Sequence, residues 1–252
     1  MMVRKTVLCS GAEAAEQHEW LRSRARPDAK GALSSGSAAC DEGPASGALR
    51  VRKCTWQDVE EILLIQSLAF EIATPVDEAV FRAVVRRYPA GAICADVDGV
   101  IIGFHMAFPT RHERWTQPHT RAEVVDDGKL ADFDPEGDAL YEVGCAIHPD
   151  HQRSDVGAML ARDAAGRATQ RGRRGLLSAS RLRGYPRVAA RLSPEDYARE
   201  VIAGRLQDAT LTPALRAGYR PLDPPLVLRG YHDDDLQPPD GSTHGVLMQL
   251  EG

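Results

Sequence analysis

Ala146-Ile147-His148-Pro149-Asp150-His151-Gln152-Arg153-Ser154-Asp155-Val156-Gly157-Ala158-Met159-Leu160 is the stretch on which the reading of this chain turns. It begins as the end of an apolar strand, passes through a short polar turn, and starts a helix near Asp155-Val156-Gly157. The first N–H groups of a helix lack intrahelical acceptors, and the helix dipole adds partial positive charge at the same place. A strand–turn–helix of this kind is suited to hold an anion such as a phosphate. Gly157 has no Cβ and lets backbone approach a ligand closely. Asp155 works the other way, since a carboxylate would sit beside the anion. A bare connection without ligand fits the same short pattern, so the rest of the chain has to decide between the two.

A chain of 252 residues, 43% hydrophobic and 27% charged, can bury one sizeable core as an ordinary globular protein. A net charge of -5 argues against a dedicated nucleic-acid binder. The basic run Arg171-Gly172-Arg173-Arg174 reads as a solvated helix end, where cations are favoured. The five cysteines are odd in number and contain no C-x-x-C pair, so neither a disulfide framework nor a zinc site is expected. Cys54, Cys94 and Cys145 stand in apolar contexts and read as buried thiols. No stretch approaches the ~18 apolar residues of a membrane helix, and no secretory h-region opens the chain. The expectation is a cytoplasmic protein with no membrane or nucleic-acid partner and no metal.

Residues 1–47 are dominated by Ala, Gly, Ser and charged side chains and read as a disordered leader, with a short helix around Ala12 to Arg24. From residue 48 to 252 the pattern is that of one folded domain. Leu49 to Arg52 alternates as a strand, Thr55 caps a helix over Trp56 to Phe70, and a second helix covers Asp77 to Arg87. Ala92 to Asp96 and Val100 to Phe108 form a hairpin about Asp98-Gly99. Pro109 to Asp138 is a long polar loop, of the kind that is functional or disordered. A strand over Ala139 to Ile147, a helix over Val156 to Arg171 and a strand over Gly175 to Ser180 follow. Ser193-Pro194-Glu195-Asp196 starts a helix running to about Leu206, Thr210 to Ala217 forms a shorter one ended by Gly218, and Val246 to Leu250 is the last strand. The order is mixed α/β with antiparallel hairpins.

The 146–160 turn resembles the pyrophosphate loop of the GNAT acetyltransferases, Gln/Arg-x-x-Gly-x-Gly/Ala after a hydrophobic strand and a proline. Gln152, Gly157 and Pro149 match, and Asp155 stands where the first glycine is expected. An ordered series further on is more specific: Ser180-Arg181-Leu182-Arg183-Gly184-Tyr185, Leu192-Ser193-Pro194-Glu195-Asp196-Tyr197, Asp208-Ala209-Thr210-Leu211 and Leu215-Arg216-Ala217-Gly218-Tyr219. It is similar to the C-terminal half of GNAT-like domains fused to carbon–nitrogen hydrolases and of those in polyketide synthase loading modules. Arg183 and Ala209 replace two prolines of that pattern. The resemblance runs from about residue 49 to the end.

The resemblance implies the GNAT fold: a mixed, mostly antiparallel central sheet flanked by helices, with two central strands splayed at a bulge around acyl-pantetheine. Cys145, Ala146 and Ile147 would then offer backbone hydrogen bonds to the pantetheine arm. Gln152, Arg153, Ser154, Asp155, Val156, Gly157 and Ala158 would surround the pyrophosphate of acetyl-CoA or another acyl-CoA. Arg153 could equally face solvent. Glu142 is the implied general base, with a salt-bridged rim residue as the alternative and Tyr141 as a weaker candidate. Simple alternation puts Glu142 on the side of Gly144 and Ala146.

The implied activity is transfer of acetyl to an amine of a small molecule or peptide in a direct ternary complex, in a monomer or homodimer. The family's usual acid, a tyrosine four residues before the glycine that ends the last helix, falls on Ala214. Tyr219 reads as core. Some polyketide GNAT-like domains decarboxylate acyl-CoA with a Thr/His pair. Ser180 stands near the first of those positions and Ala214 at the second. That leaves decarboxylation or acyl loading, or a weakened acyl-CoA-binding module, as alternatives. His105, His112 and His119, spaced by seven, read as a solvated polar loop, as does His232 before Asp233-Asp234-Asp235. Trp115 reads as a packing anchor.

Overall fold

A computed structural model describes residues 49–70, 78–152, 155–232 and 241–252. The expectations for the leader, for Cys9 and Cys40, for Asp77, for Arg153 and Ser154, and for Asp233 to Asp235 lie outside the described residues. The strands are β1 (Leu49–Lys53), β2 (Ala92–Val97), β3 (Val100–Thr110), β4 (Ala139–Ile147), β5 (Leu176–Arg181), β6 (Arg220–Pro221), β7 (Val227–Leu228) and β8 (Gly245–Leu250). The helices are α1 (Val59–Phe70), α2 (Glu78–Arg87), α3 (His112–Trp115), α4 (Arg121–Val125), α5 (Val156–Thr169), α6 (Pro194–Ile202) and α7 (Leu211–Ala217). They build one open sheet in the order β1-β2-β3-β4-β5-β8-β6, with β7 also on β8. Every pairing is antiparallel except β4 with β5.

Local chemistry sets the element ends. Asp98 and Gly99 both take positive φ (53° and 84°), the turn a two-residue hairpin needs. The Asp58 carboxylate accepts from the Thr55 N–H and hydroxyl at the entry to α1. Ser193 accepts from the Asp196 N–H and Pro194 occupies the first turn of α6. That helix stops at Ile202 rather than near Leu206, because Gly204 turns the chain at φ 75°. Strands β6 and β7 carry no alternation signal, being two residues each.

The long loop is not loop throughout. It holds α3 and α4, and α4 begins with the Glu123 N–H donating to Thr120 Oγ1. Trp115 is fully buried and its indole N–H donates to Thr110, as a packing anchor should. His105 and His119 are buried rather than solvated, and so is His232. His105 belongs to β3, where the apolar run carries it inward.

Each face of the sheet carries its own core. On one, α1 and α2 bring Ile62, Ile65, Phe81 and Val84 against Phe104, Met106, Phe108, Tyr141 and Val143. On the other, the alanine face of α5 (Ala161, Ala164, Ala165, Ala168) packs with α6 and α7 over Ile93, Leu140, Tyr219 and Met248. Small side chains let α5 approach the sheet closely, which fixes its N-terminus beside the end of β4.

Three of the four C-terminal sequence blocks converge on one buried carboxylate. Asp208 accepts from the N–H groups of Gly184, Thr210 and Leu211 and from the Tyr197 hydroxyl. A Cβ on Gly184 would lie 2.2 Å from that hydroxyl, so glycine is required there. These blocks are architecture: they join the end of β5 to α6 and α7.

Candidate active site

β4 has nine residues, yet it pairs with β5 only at Leu140↔Leu176 and Tyr141↔Leu177. Beyond Tyr141 the two strands part. The gap opens into a cleft of about 640 Å³, lined by β4 from Glu142 to Ile147, by Ser178 to Arg181 of β5, and by α5 and α7. Irregularity on the other edge accompanies the parting. The β3–β4 register shifts between Met106 and Ala107, which pair with Gly144 and Glu142 and leave Val143 as an extra residue.

The bulge reverses the alternation on which the sequence reading relied. A Cβ on Gly144 would lie 2.8 Å from Phe81, so Gly144 faces the α1–α2 core, where Ala146 also packs. Glu142 instead accepts from Tyr219, a residue of the opposite core. It therefore does not share a side with Gly144 and Ala146.

Three donors converge on the Glu142 carboxylate. His105 Nε2–H donates to Oε2 at 2.8 Å, the Tyr219 hydroxyl to the same oxygen at 3.1 Å, and Ser178 Oγ–H to Oε1 at 3.0 Å. The side chain keeps 16% of its surface exposed, toward the cleft. Burial pushes this carboxyl up, but the histidine and the three hydrogen bonds outweigh it and hold it below the ordinary value of 4.5. Glu142 is thus an ionised acceptor at neutral pH. Burial, with Glu142 beside it, raises the Tyr219 phenol well above 10, so it keeps its proton. Burial likewise raises Cys145 well above 9, which leaves a neutral thiol in the cleft wall. The Tyr141 hydroxyl is turned away from the cleft chemistry: it sits between His119 Nε2 (2.7 Å) and the Tyr231 hydroxyl (3.0 Å).

At the mouth, Cys145, Ala146, Ile147, Gln152, Asp155, Gly157 and Ala158 all line the cleft. The Gln152 amide donates to the Ile147 carbonyl at 3.2 Å, tying the loop to the strand end. Asp155 is the residue before α5, but its side chain caps nothing. Its φ of -80° lies in the ordinary region, so the backbone here does not need the expected glycine. The Val156 side chain is buried in the α5 core, which leaves its backbone at the helix start. At Gly157 an added Cβ would make ordinary contact with Ile147 at 3.5 Å. The fold does not demand glycine there; a ligand on the helix N-terminus would.

Ala214 lines the same cleft and has no proton to give. Tyr219, read from sequence as core, is buried but reaches the carboxylate. His105, Ser178 and Tyr219 are the site residues that sequence reasoning missed. The polar Ser178 and Ser180 inside the apolar run Leu176 to Arg181 were the signal for one of them. Among the described residues no three His, Cys, Asp or Glu side chains gather as a metal site, and no helix is long and apolar enough to cross a membrane.

A parallel strand pair that splays beside a helix N-terminus, with a held carboxylate in the gap, defines an acetyltransferase fold of the GNAT class. The model of the "Acetyltransferase (GNAT) family" matches residues 56–182, and the chain belongs to that family. It is similar to the "Uncharacterized N-acetyltransferase YkwB" of Bacillus subtilis (strain 168), with 28% identity over 206 residues, 80% of this chain and 88% of that protein. Two solved structures share the fold. One is the GphF GNAT-like decarboxylase in complex with isobutyryl-CoA, with a TM-score of 0.63, 20% identity, and coverage of 80% of this chain and 98% of that one. The other is the loading GNATL domain of CurA from Lyngbya majuscula, with a TM-score of 0.62, 15% identity, and coverage of 81% and 98%.

Proposed function

We propose that this protein transfers an acyl group, acetyl in the simplest case, from CoA to an amine of a small molecule or peptide. The observation that carries the reading is Glu142, held ionised by His105, Ser178 and Tyr219 in the gap between β4 and β5. The α5 N-terminus with Gly157 and Ala158 takes the pyrophosphate, and the unpaired edge of β4 at Cys145 to Ile147 takes the pantetheine arm. The thioester and amine then meet beside Glu142.

The amine nitrogen attacks the thioester carbonyl; a C–N bond forms and the C–S bond breaks. Glu142 accepts the proton the nitrogen sheds, directly or through one water. Tyr219 gives its phenolic proton to the departing sulfur and regains one from Glu142 across 3.1 Å. Tyr219 thereby does the work that Ala214 cannot. A carboxylate with a depressed pKa is a weak base, so positioning and the three donors carry much of the rate.

Ala214 favours a second reading, decarboxylation of a carboxyacyl-CoA, because the usual acid position is empty of a donor. A thermal-shift panel with acetyl-CoA, malonyl-CoA, methylmalonyl-CoA and free CoA, followed by mass spectrometry, tests both. Ligand at ~100 times its Kd adds about 2.7 kcal/mol, a rise of roughly 5–10 °C for a domain this size. Thiol release that requires an amine, lowered ~100- to 10,000-fold by Glu142→Gln, is the expected result. Loss of CO₂ without an amine would replace it with the second reading. No shift with any ester would make the chain a binding module disabled at Asp155.

A further inference from the structure

β3 lies inside the sheet, and from Ile101 to Thr110 every one of its residues is buried. His105 is the one ionisable side chain in that run. It sits between Ile93 of β2 and Cys145 of β4. Strand alternation puts it with Gly103 and Ala107 on the α5 side, where a Cβ on Gly103 would touch Val156 and Ala107 joins the α5 core. Its Nε2 meets Glu142 at 2.8 Å, and its Nδ1 is buried with no hydrogen-bond partner among the described residues. A polar atom left in that state costs stability that an apolar side chain would not forfeit. Packing therefore does not account for a histidine here. What the ring supplies is the Nε2–H behind Glu142.

A carboxylate offers about two lone-pair sites on each oxygen. Oε2 of Glu142 accepts from His105 and from Tyr219, which fills it, whereas Oε1 accepts from Ser178 alone. One site on Oε1 is left for a further donor, on a side chain that lines the cleft. The Ser178 and Tyr219 hydroxyl hydrogens can rotate toward other acceptors. The imidazole N–H cannot, because its direction is fixed once the ring is packed. The other titratable groups around the pair are the Cys145 thiol, across from His105 on β4, and Tyr219 itself. Both keep their protons, since burial and then Glu142 raise them. On this side α5 packs through Val156, Leu160, Ala161 and Ala164, all apolar.

We infer that His105 is a positioning residue for acyl transfer: its Nε2–H pins Oε2 of Glu142 and leaves Oε1 to receive the attacking amine or the water it shares. This deepens the acyltransferase reading and rests on it. His105 acts through the carboxylate and not on a substrate. It also sets the charge of that carboxylate. Burial is the largest influence on Glu142 and pushes it up; the attraction and hydrogen bond of His105 are the next largest and push it down. Without His105, burial prevails. The carboxyl then rises toward or past its ordinary 4.5, and the base is lost at a higher pH.

Two measurements on the whole chain test this. Nitrogen NMR of isotope-labelled histidine reads the ring in the free protein. Of the eight histidines, the one whose signal is missing from His105→Gln should carry its proton on Nε2 and leave Nδ1 bare, and Glu142→Gln should shift it. Next, kcat and KM for acetyl-CoA are followed with pH, using glycinamide, spermidine and Nα-acetyl-lysine as acceptors. His105→Leu should lower kcat by up to about 100-fold, leave KM for acetyl-CoA nearly unchanged, and move the acid limb of kcat/KM upward. His105→Gln returns an N–H near the place of Nε2 and should recover part of kcat. Loss of folded protein lowers kcat but leaves the limb where it was, so the limb separates positioning from misfolding. An unmoved limb in His105→Leu overturns the inference, as does a ring that carries its proton on Nδ1 alone. Failure to bind any CoA ester, with the ring signal as expected, would sink the acyltransferase reading and leave the pairing of His105 with Glu142 standing.

Discussion

β4 is two strands in one. Its first part, Ala139 to Tyr141, has buried side chains, and Leu140 and Tyr141 are paired on both edges. Its second part, Glu142 to Ile147, is paired with β3 alone and shows its other edge to the cleft. The closed part does what an interior strand does, and its side chains count toward stability. The open part has given up ladder hydrogen bonds and leaves an edge facing the cleft, and a single extra residue, Val143, marks the change. A buried backbone edge without partners is costly. That cost is why the open part gathers side chains and loops around it: Arg121 on the Val143 carbonyl and Gln152 on that of Ile147.

The sharpest way to break this comparison is to exchange the effects. Tyr141→Ala in the closed part should destabilise by about 3–5 kcal/mol, since it empties an aromatic site and strands His119 and Tyr231. Urea unfolding would show it, and intact stability would mean that the closed part is not core. Tyr219→Phe, facing the open part, should do the reverse. It removes only a hydroxyl, so kcat should fall by roughly 100-fold, the low end of acid–base effects, while stability changes by about 1–2 kcal/mol. An unchanged kcat would remove Tyr219 from the proton path.

The two parts share a pH signature, because each has one buried neutral histidine. His119 meets Tyr141, and His232 lines the cleft. Burial is the first cause in both, and it holds each below its ordinary 6.5. The unfolded chain therefore takes up protons first. Stability is full above about 6.5 and declines as pH falls below it toward the folded values, by at most about 1.4 kcal/mol per pH unit per histidine. Glu142, held below 4.5, adds its own loss at lower pH still. Unfolding midpoints between pH 7.5 and 5.5 should show the slope, and His232→Gln should remove only its own share.

The smallest expected effect on the fold is at Gly157. Gly157→Ala has room against Ile147 and gains helix propensity, so stability should hold or rise by a few tenths of a kcal/mol up to ~1. Affinity for CoA esters should drop several-fold, because the methyl stands where the phosphate must approach. Equal affinity in calorimetry would mean that the α5 N-terminus is only a turn.

Much of this was legible one residue at a time. The Asp98-Gly99 hairpin, the Thr55 and Ser193 starts, the helix ended by Gly218 and the strand–turn–helix at 146–160 all depend on neighbours a few residues apart. So does the cleft position of Gln152, Asp155, Gly157 and Ala158. Glu142 was singled out through the family resemblance, from its place near the middle of the central strand. Its orientation was not legible, because alternation counts residues and a bulge adds one. The histidines were misread because their spacing in sequence says nothing about depth; His105 is carried inward by strand register and His119 by packing on Trp115 and Tyr141.

By itself, then, the sequence determined the order of the main elements, the class of fold and the strand–turn–helix at 146–160, since these follow from periodicity, capping and turn chemistry within short windows. Only the tertiary structure decided which face Glu142 occupies, that Tyr219 reaches it from 77 positions away, and that His105 meets it from the neighbouring strand. Those are contacts between residues far apart in the chain, and no local energy term specifies them; they exist because the splay of β4 from β5 leaves a space that side chains from five different elements close.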